Sequence, residues 1–310
     1  MTGIRSWVWA VLLCAAGLAA TVNAAPADVG YAPPESDLIV RVNGPKIFRS
    51  QTFALLRGHA QVKKFEADMR KDLADIGMTV DDLLNTDIFL FGSTGGFDIA
   101  KPVSFSVIAR NPKAFSAAIL AYVSDMGDED KPESLKKDPI CGKEARVYRE
   151  EDATVAAVAL DKDLVFLQFN AIPTALPVLR QPGELGKMVE PEAMVSIAFR
   201  NPRGVGKDVL EILPQVVEPL LHGVTFVKAD LYDRGDRVAI EAELVYPTPE
   251  IAQNAARQFN SMLLLGAMAL QKEHPEKTRV MRKVKIACDG NKVVIRFSCR
   301  NEELAKAFLK

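Results

Sequence analysis

The chain contains, near its start, the segment Leu38-Ile39-Val40-Arg41-Val42-Asn43-Gly44-Pro45. Its first half is rich in β-branched residues, which favour a strand. The Asn and Pro that follow are typical of a helix start, because Asn is favoured at the N-cap and Pro needs no intrahelical partner for its nitrogen in the first turn. The segment therefore predicts a strand that passes directly into a helix.

The same unit recurs along the chain, which indicates an internal repeat. Close copies are Ser106-Val107-Ile108-Ala109-Arg110-Asn111-Pro112 and Ser196-Ile197-Ala198-Phe199-Arg200-Asn201-Pro202. Looser copies end at Pro247-Thr248-Pro249 and at Arg300-Asn301-Glu302. Each copy predicts one further strand-to-helix switch.

Three hairpins are predicted between these switches. The first joins residues 87–91 to 103–109 through a Gly-containing loop, and the others turn at Arg234-Gly235-Asp236 and at Asp289-Gly290. A further hairpin at 146–169 extends the first sheet, and a short helix is expected at 171–179. The resulting β-α-β-β-α-β order is that of a split β-α-β unit.

We therefore predict an α+β fold made of two related split β-α-β (ferredoxin-like) halves, with antiparallel sheets and helices packed on one face. The Pro- and Gly-containing segment from Gln181 to Pro191 marks the junction. The predicted units are a signal peptide at 1–24, a first α+β domain at 25–185 and a second at 186–310.

Amphipathic helices are indicated by apolar residues at spacings of three and four, as in Phe65, Met69 and Leu73. The longest helix is predicted from Pro249 to about Lys272, and it is nearly apolar all round between Phe259 and Leu270. Such a segment either fills the second core or presents a partner-binding face.

Export is predicted from the N-terminal residues. A positive region ends at Arg5, a 14-residue apolar run extends from Trp7 to Ala20, and Val22-Asn23-Ala24 is a small-residue cleavage site. The run is shorter than the roughly 20 residues that a membrane-spanning helix needs. Lipidation at Cys14 is the alternative, although Leu13 is larger than the residue that normally precedes a lipidated cysteine. We expect a periplasmic, cell-envelope or extracellular protein without a transmembrane helix in its mature chain.

Charge gives no indication of nucleic-acid binding. Without residues 1–24 the chain has 38 basic and 40 acidic side chains, and these are interleaved. A nucleic-acid-binding protein needs a basic face that neutralises phosphates.

Three cysteines remain in the mature chain: Cys141, Cys288 and Cys299. The hairpin at Asp289-Gly290 pairs Cys288 with about Val293, which leaves Cys299 some six residues away and out of disulfide reach. We interpret all three as buried apolar side chains, with a Cys141 bridge as the remaining possibility.

Motifs that carry chemistry are scarce. The Gly-rich segment at 91–97 lacks the Lys of a phosphate-binding loop, and the acids at 125–130 lack the spacing of a calcium loop. His59, His222 and His274 have no second ligand at metal spacing. No nucleophile motif is present. We therefore expect no catalytic residue, metal or cofactor, and the enzyme question stays open with a leaning towards no.

The candidate binding residues are the arginines that directly precede the Asn of a repeated unit. If the units superpose, Arg110, Arg200 and Arg300 occupy equivalent strand ends and could form an anion-binding surface. The alternative is that they are exposed strand-end charges.

The segment from Pro33 to Asn43, with its Pro-rich opening and its strand ending in Asn, resembles the start of exported bacterial proteins of the DUF3352 kind. The likeness covers the first strand and helix. It implies an exported α+β protein without assigned chemistry, and it supplies no functional residue.

Three functions are consistent with the sequence. The first is a non-enzymatic binding or interaction protein of the envelope, with an unknown protein or small-molecule partner, that uses a sheet face or the apolar end of the long helix. The second is an enzyme with an unrecognised acid/Arg site. The third is a structural subunit of a surface assembly, which requires a self-complementary surface with exposed strand edges.

Overall fold

The computed structural model describes residues 26–34, 36–75, 77–92, 105–111, 115–125, 135–150, 153–201 and 223–308. Its strands form one antiparallel sheet of twelve. They are β1 (Leu38–Asn43), β2 (Asp87–Gly92), β3 (Phe105–Arg110), β4 (Leu135–Lys136), β5 (Ala145–Glu150), β6 (Ala153–Asp161), β7 (Leu164–Phe169), β8 (Val195–Arg200), β9 (Phe226–Asp233), β10 (Arg237–Val245), β11 (Lys285–Asp289) and β12 (Lys292–Arg300).

Nine α-helices lie within the described residues, after a 3-10 helix at Pro26–Tyr31. They are α1 (Gly44–Arg49), α2 (Gln51–Arg57), α3 (Ala60–Asp75), α4 (Val80–Leu84), α5 (Phe115–Asp125), α6 (Glu184–Lys187), α7 (Pro249–Leu270), α8 (Pro275–Met281) and α9 (Asn301–Phe308). In the part of the chain that the structure describes, no helix has the length and apolar character needed to cross a membrane.

The strand order is β11-β12-β10-β9-β8-β1-β2-β3-β7-β6-β5-β4. Strands from the two predicted halves meet at the β1–β8 pair, in which Val40 lies opposite Ile197. The sheet therefore runs across the predicted boundary at residues 185 and 186, which falls inside α6.

The α+β class and the antiparallel sheet are confirmed, but the ferredoxin-like arrangement of the halves is not. In a split β-α-β unit the strands on either side of a helix are parallel and have another strand between them. Here β1 and β2, which are joined through α1–α4, are direct antiparallel neighbours.

The two faces of the sheet have different covers. Side chains of directly paired residues point to the same face. Val42 of β1 is paired with Ile88 of β2, and both pack against α1 and α2. In the same row of paired residues, Ala109 of β3 and Val165 of β7 pack against Met69 of α3. This is the helix-covered face.

The opposite face has an apolar cover in the first half. There the paired residues Phe89, Ile108 and Phe166 of β2, β3 and β7 pack against Val29 of the 3-10 helix and against Val189. In the second half the same face of β9–β12 carries mainly charged and polar side chains. They include Lys228, Asp230, Tyr232, Glu241, Glu243, Lys285, Arg296 and Ser298.

The predicted hairpins are confirmed as the pairs β2–β3, β9–β10 and β11–β12, and the additional strands at 146–169 as β5, β6 and β7. The long helix is confirmed as α7, whose N-cap Thr248 accepts a hydrogen bond from the N–H of Ile251. The short helix predicted at 171–179 is wrong. That segment is not helical and contains Pro173 and Pro177, which lack a backbone donor.

Candidate functional site

Arg110, at the end of β3, is held by two carboxylates. Its Nε and Nη2 atoms donate to the two oxygens of Asp28 at 2.7 and 2.8 Å, and its Nη1 donates to Asp163 at 2.9 Å. The hydrogen bond to Asp28 is the main cause of a raised pKa of Arg110. Nearby, burial and the charge of Asp28 raise the pKa of Tyr31. The guanidinium fork that would bind an anion is thus occupied by Asp28, and it fixes the 3-10 helix to the sheet.

Arg200 and Arg300 also have carboxylate partners, and both arginines are exposed, whereas of the two carboxylates Asp37 is buried and Asp236 is exposed. Nη2 of Arg200 lies 3.4 Å from Asp37, and Nε of Arg300 lies 4.0 Å from Asp236. An exposed pair such as Arg300 with Asp236 contributes about 0–1 kcal/mol.

The structure does not bring the three arginines together. Because β3 and β12 run parallel to β1 whereas β8 runs antiparallel to it, Arg110 and Arg300 lie at one end of the sheet and Arg200 at the other. Six strand steps of about 4.8 Å separate β3 from β12, which places those two strands about 29 Å apart. Each arginine therefore belongs to a separate ion pair, and the three do not form one anion-binding surface.

The asparagines of the repeated unit have a structural role that the sequence did not reveal. In each of Asn111, Asn201 and Asn301 the side-chain amide donates to a backbone carbonyl of a neighbouring helix, turn or strand end, and the backbone N–H donates to a second backbone carbonyl. The side-chain acceptors are Asp82 at 2.6 Å, Val224 at 2.9 Å and Gly235 at 2.8 Å. The repeated Asn therefore joins the end of its own strand to neighbouring parts of the chain.

A buried ion pair lies at the centre of the sheet. Arg41 is 1% exposed, and its Nε and Nη2 donate to Asp87 at 3.3 and 3.1 Å, while Nη1 donates to the carbonyl of Pro191 at 3.1 Å. Its guanidinium also lies 5.4 Å from the ring centroid of Phe89. Burial raises the pKa of Asp87, and Arg41 opposes that shift. The available signal was the position of Arg41, two residues after the buried Ile39 on the same face of β1.

A second polar cluster lies in β8 and β9, on the same face of the sheet as Arg41. Ser196 accepts a hydrogen bond from the N–H of Glu190 at 2.9 Å and donates to Asp230 at 2.6 Å. Lys228 lies 3.3 Å from the other oxygen of Asp230. Burial raises the pKa of Asp230, against the effects of Ser196 and Lys228. Ser196 is 1% exposed, so its hydroxyl stabilises the sheet and is not accessible as a nucleophile.

The side of α7 that faces the sheet has small residues in its first two turns, followed by Phe259. Ala252, Ala255 and Ala256 are buried against Val293 and Tyr246. Further along, the hydroxyl of Thr278 in α8 donates to the carbonyl of Ala267 at 3.3 Å. This side of the helix is therefore part of the second core, as one of the two sequence interpretations expected.

The opposite side of α7 changes character along its length. Its first turns expose polar side chains such as Asn254, Arg257 and Ser261. Its last turns expose Leu264, Leu265 and Met268, which are 62%, 64% and 60% accessible. We call these three residues the apolar outer patch. A surface helix is normally polar on the side away from its core, so the patch is the unexplained feature of this helix.

The cysteine prediction is wrong for two of the three residues. Cys141, Cys288 and Cys299 are all free, but only Cys299 is buried. Cys288 is exposed because β11 is an edge strand, and Cys141 is exposed in a tight turn with a φ of 52°. The Cys299 thiol lies 3.5 Å from Glu303, and burial raises its pKa.

Several sequence candidates fall outside the described residues. They are the signal peptide with Cys14, most of the Gly-rich segment at 91–97, the acids at 128–130, and His222. Within the described part of the chain, no three His, Cys, Asp or Glu side chains are grouped to hold a metal ion.

Comparisons with known proteins give only distant structural likenesses. No family model matches the chain, and no curated protein matches it. Three crystal forms of TP0453 are similar in structure. Form I has a TM-score of 0.42 at 11% identity over 93% of this chain and 97% of that one. Form IV has 0.44 at 10% over 91% and 96%, and form III has 0.48 at 11% over 90% and 96%.

Proposed function

We propose that this chain is a non-enzymatic binding protein that docks a protein partner on the apolar outer patch of α7. The observation that carries the proposal is that Leu264, Leu265 and Met268 are each at least 60% exposed on the side of the helix away from its core. The partner is expected to present an apolar surface, because burying apolar area is the main gain that such a patch offers.

The surroundings of the patch support this proposal. Arg257 and Ser261 precede it on α7, and Lys272 follows it, all of them exposed. An apolar centre with a polar rim is the usual anatomy of a protein interface. Burying a fully exposed Leu is worth about 1.5–3 kcal/mol, so at 64% exposure Leu265 can contribute about 1–2 kcal/mol to binding.

The enzyme alternative has less support. It would require an acid/Arg site with available groups, and Arg110 with Asp28 and Asp163 is the nearest arrangement to one. There, both carboxylates already accept hydrogen bonds from the Arg110 guanidinium, so the arrangement supports a structural clamp better than a catalytic site.

We propose in addition that the protein is exported, with the mature chain starting near Ala25, and that it acts in the periplasm, cell envelope or outside the cell. The order of charged, apolar and small residues in 1–24 supports this. Expression with and without residues 1–24, followed by fractionation, tests it. Mature protein found in the cytoplasm would contradict export.

The two halves are further proposed to be related copies of one unit. In the first, the strands follow the order β1-β2-β3-β7-β6, and in the second the order β8-β9-β10-β12-β11. Both are a three-strand meander whose third strand pairs with the last strand of a hairpin, so the shared order supports an internal repeat without a ferredoxin-like unit.

Site-specific photocrosslinking in intact cells tests the binding role. A photoreactive residue at Leu265 should capture a defined partner, whereas the same residue at Gln253, which is exposed on the same helix, should capture little of it. The captured protein is then purified and its affinity measured.

The variant Leu265→Asp should weaken binding of that partner by about 5- to 30-fold, which corresponds to the 1–2 kcal/mol above. Gln258→Asp adds the same charge two turns earlier and should leave the affinity unchanged. Equal crosslinking at residues 253 and 265, or equal affinity of the two Asp variants, would exclude the patch as the binding surface.

A further inference from the structure

The strand β11 forms one edge of the sheet in the described part of the chain. It pairs with β12 on one side only, and Lys285, Ala287, Cys288 and Asp289 are exposed. An edge strand presents backbone N–H and C=O groups that can pair with another strand.

The turn of the hairpin shows which backbone groups point outwards. Gly290 and Asn291 form a two-residue loop between Asp289 and Lys292, and Gly290 has a φ of 57°, as the first loop residue of a type II′ turn requires. In such a hairpin the pair that closes the loop is hydrogen-bonded, and hydrogen-bonded pairs then alternate. Asp289, Ala287 and Lys285 therefore bond to β12, which leaves the N–H and C=O groups of Ile286 and Cys288 directed to the free edge.

A contact with α7 agrees with this assignment. The side-chain amide of Asn260 lies 3.5 Å from the carbonyl oxygen of Ile286, at the limit of a hydrogen bond. That carbonyl is thus turned away from β12. A second strand along the edge would replace this long contact by a backbone hydrogen bond of ordinary length.

The charges of β11 select one way of pairing with a second copy of the same strand. Lys285 and Asp289 lie at equal distances on either side of Ala287. In an antiparallel pair with its two-fold axis at Ala287, Lys285 of each copy faces Asp289 of the other, and Ile286 faces Cys288. Axes at Ile286 or Cys288 would place one of the charged residues opposite Ala287 instead. Only the first register matches both the charges and the outward backbone groups.

We propose that the chain forms a two-fold dimer through antiparallel pairing of β11, which joins the two twelve-stranded sheets into one. Charged residues on an edge strand usually prevent such pairing. Here their opposite signs and symmetric positions make the edge complementary to itself. The dimer goes beyond the binding role of α7, because it uses the sheet edge and not the apolar outer patch.

Disulfide trapping tests the register. In a background with Cys141→Ser and Cys288→Ser, the variant Ala287→Cys places two thiols on the two-fold axis. A directly opposed pair without hydrogen bonds has a Cα separation of about 4.5 Å, which lies within disulfide range. Mild oxidation should therefore give a covalent dimer. The control is Lys285→Cys in the same background, because the two copies of residue 285 would be four residues out of register, about 13 Å apart. Equal yields from the two variants, or no covalent dimer from Ala287→Cys, would overturn the proposal.

Charge exchange tests the same pairing without cysteines. Sedimentation equilibrium of the full mature chain should show a dimer, and Lys285→Asp should weaken it about tenfold because two like-charged pairs replace two opposite-charged ones. The double variant Lys285→Asp/Asp289→Lys should restore the original affinity. A monomer at all concentrations, or no restoration by the double variant, would overturn the proposal. Leu265→Asp should not affect the dimer, so failure of the dimer and failure of the α7 binding role are distinguishable.

Discussion

The buried ion pair between Arg41 and Asp87 gives the sharpest stability prediction. Asp87→Asn keeps the size of the side chain but removes the carboxylate that contacts the guanidinium at 3.1 and 3.3 Å. Arg41 is 1% exposed, so solvent cannot replace the lost charge. Removing one partner of such a pair costs about 3–5 kcal/mol, a large part of the 5–15 kcal/mol that stabilises a typical protein.

A matched control is available on the same sheet. Arg234 and Glu241 form an ion pair at 2.9 Å in which both side chains are about half exposed. Glu241→Gln should therefore cost less than about 1 kcal/mol. Urea unfolding of the mature chain, followed by circular dichroism, measures both free energies. If Asp87→Asn and Glu241→Gln cost the same within about 1 kcal/mol, the buried pair does not hold the centre of the sheet as argued.

Three further predictions concern other parts of the fold. Arg110→Met removes the hydrogen bonds to Asp28, so amide hydrogens of the Pro26–Tyr31 segment should exchange faster with solvent. The control Arg200→Met, at an arginine that is 55% exposed, should leave exchange in that segment unchanged, and equal exchange in both variants would contradict the clamp. The hydrogen bond from Lys283 is the largest cause that lowers the pKa of Glu303 to about 2, so the stability it gives is present above the ordinary carboxyl pKa and is lost as the pH falls towards 2. In Lys283→Met, NMR titration should show this pKa rising towards its ordinary value, although the hydrogen bonds from Arg300 and Cys299 still lower it; an unchanged pKa would exclude the Lys283 pair as the cause. A Cβ at Gly44 would collide with the carbonyl oxygens of Leu84 and Thr86, so Gly44→Ala should lower the free energy of unfolding in urea by about 1–3 kcal/mol. A Cβ at Gly183 would meet open space, so Gly183→Ala is the control. Equal stabilities of the two variants would contradict the tight packing of Gly44 against these two carbonyl groups.

Local structure was largely predictable from the sequence. The β-branched runs, the turn at Asp289-Gly290 and the amphipathic spacing before Leu73 each depend on neighbouring residues, and the structure has β12, the hairpin and α3 where they were expected. The switch at Asn43 also leads directly into α1, although the Asn43 side chain does not cap that helix.

Long-range pairing could not be predicted in the same way. Whether β1 pairs with β8, or β3 with β7, depends on contacts between residues more than fifty positions apart, which no local pattern records. The exposure of Cys288 follows from the edge position of β11, so it too was missed.

The candidate site shows the same limit. The three strand-end arginines share a sequence context, but each one's position is set by strand order, which separates them. The apolar end of α7 was visible in the sequence as a segment, Phe259 to Leu270, that is nearly apolar all round. Its exposure was not, because that depends on which elements pack against the outer side of the helix in the folded chain.

The binding role of α7 is tested most directly by the affinity of the partner captured at Leu265, measured with Leu265→Asp and Gln258→Asp side by side. We expect the first variant to bind about 5- to 30-fold more weakly and the second to bind as the unmodified protein does. Equal binding by both variants would show that the apolar outer patch is not the surface through which the protein acts.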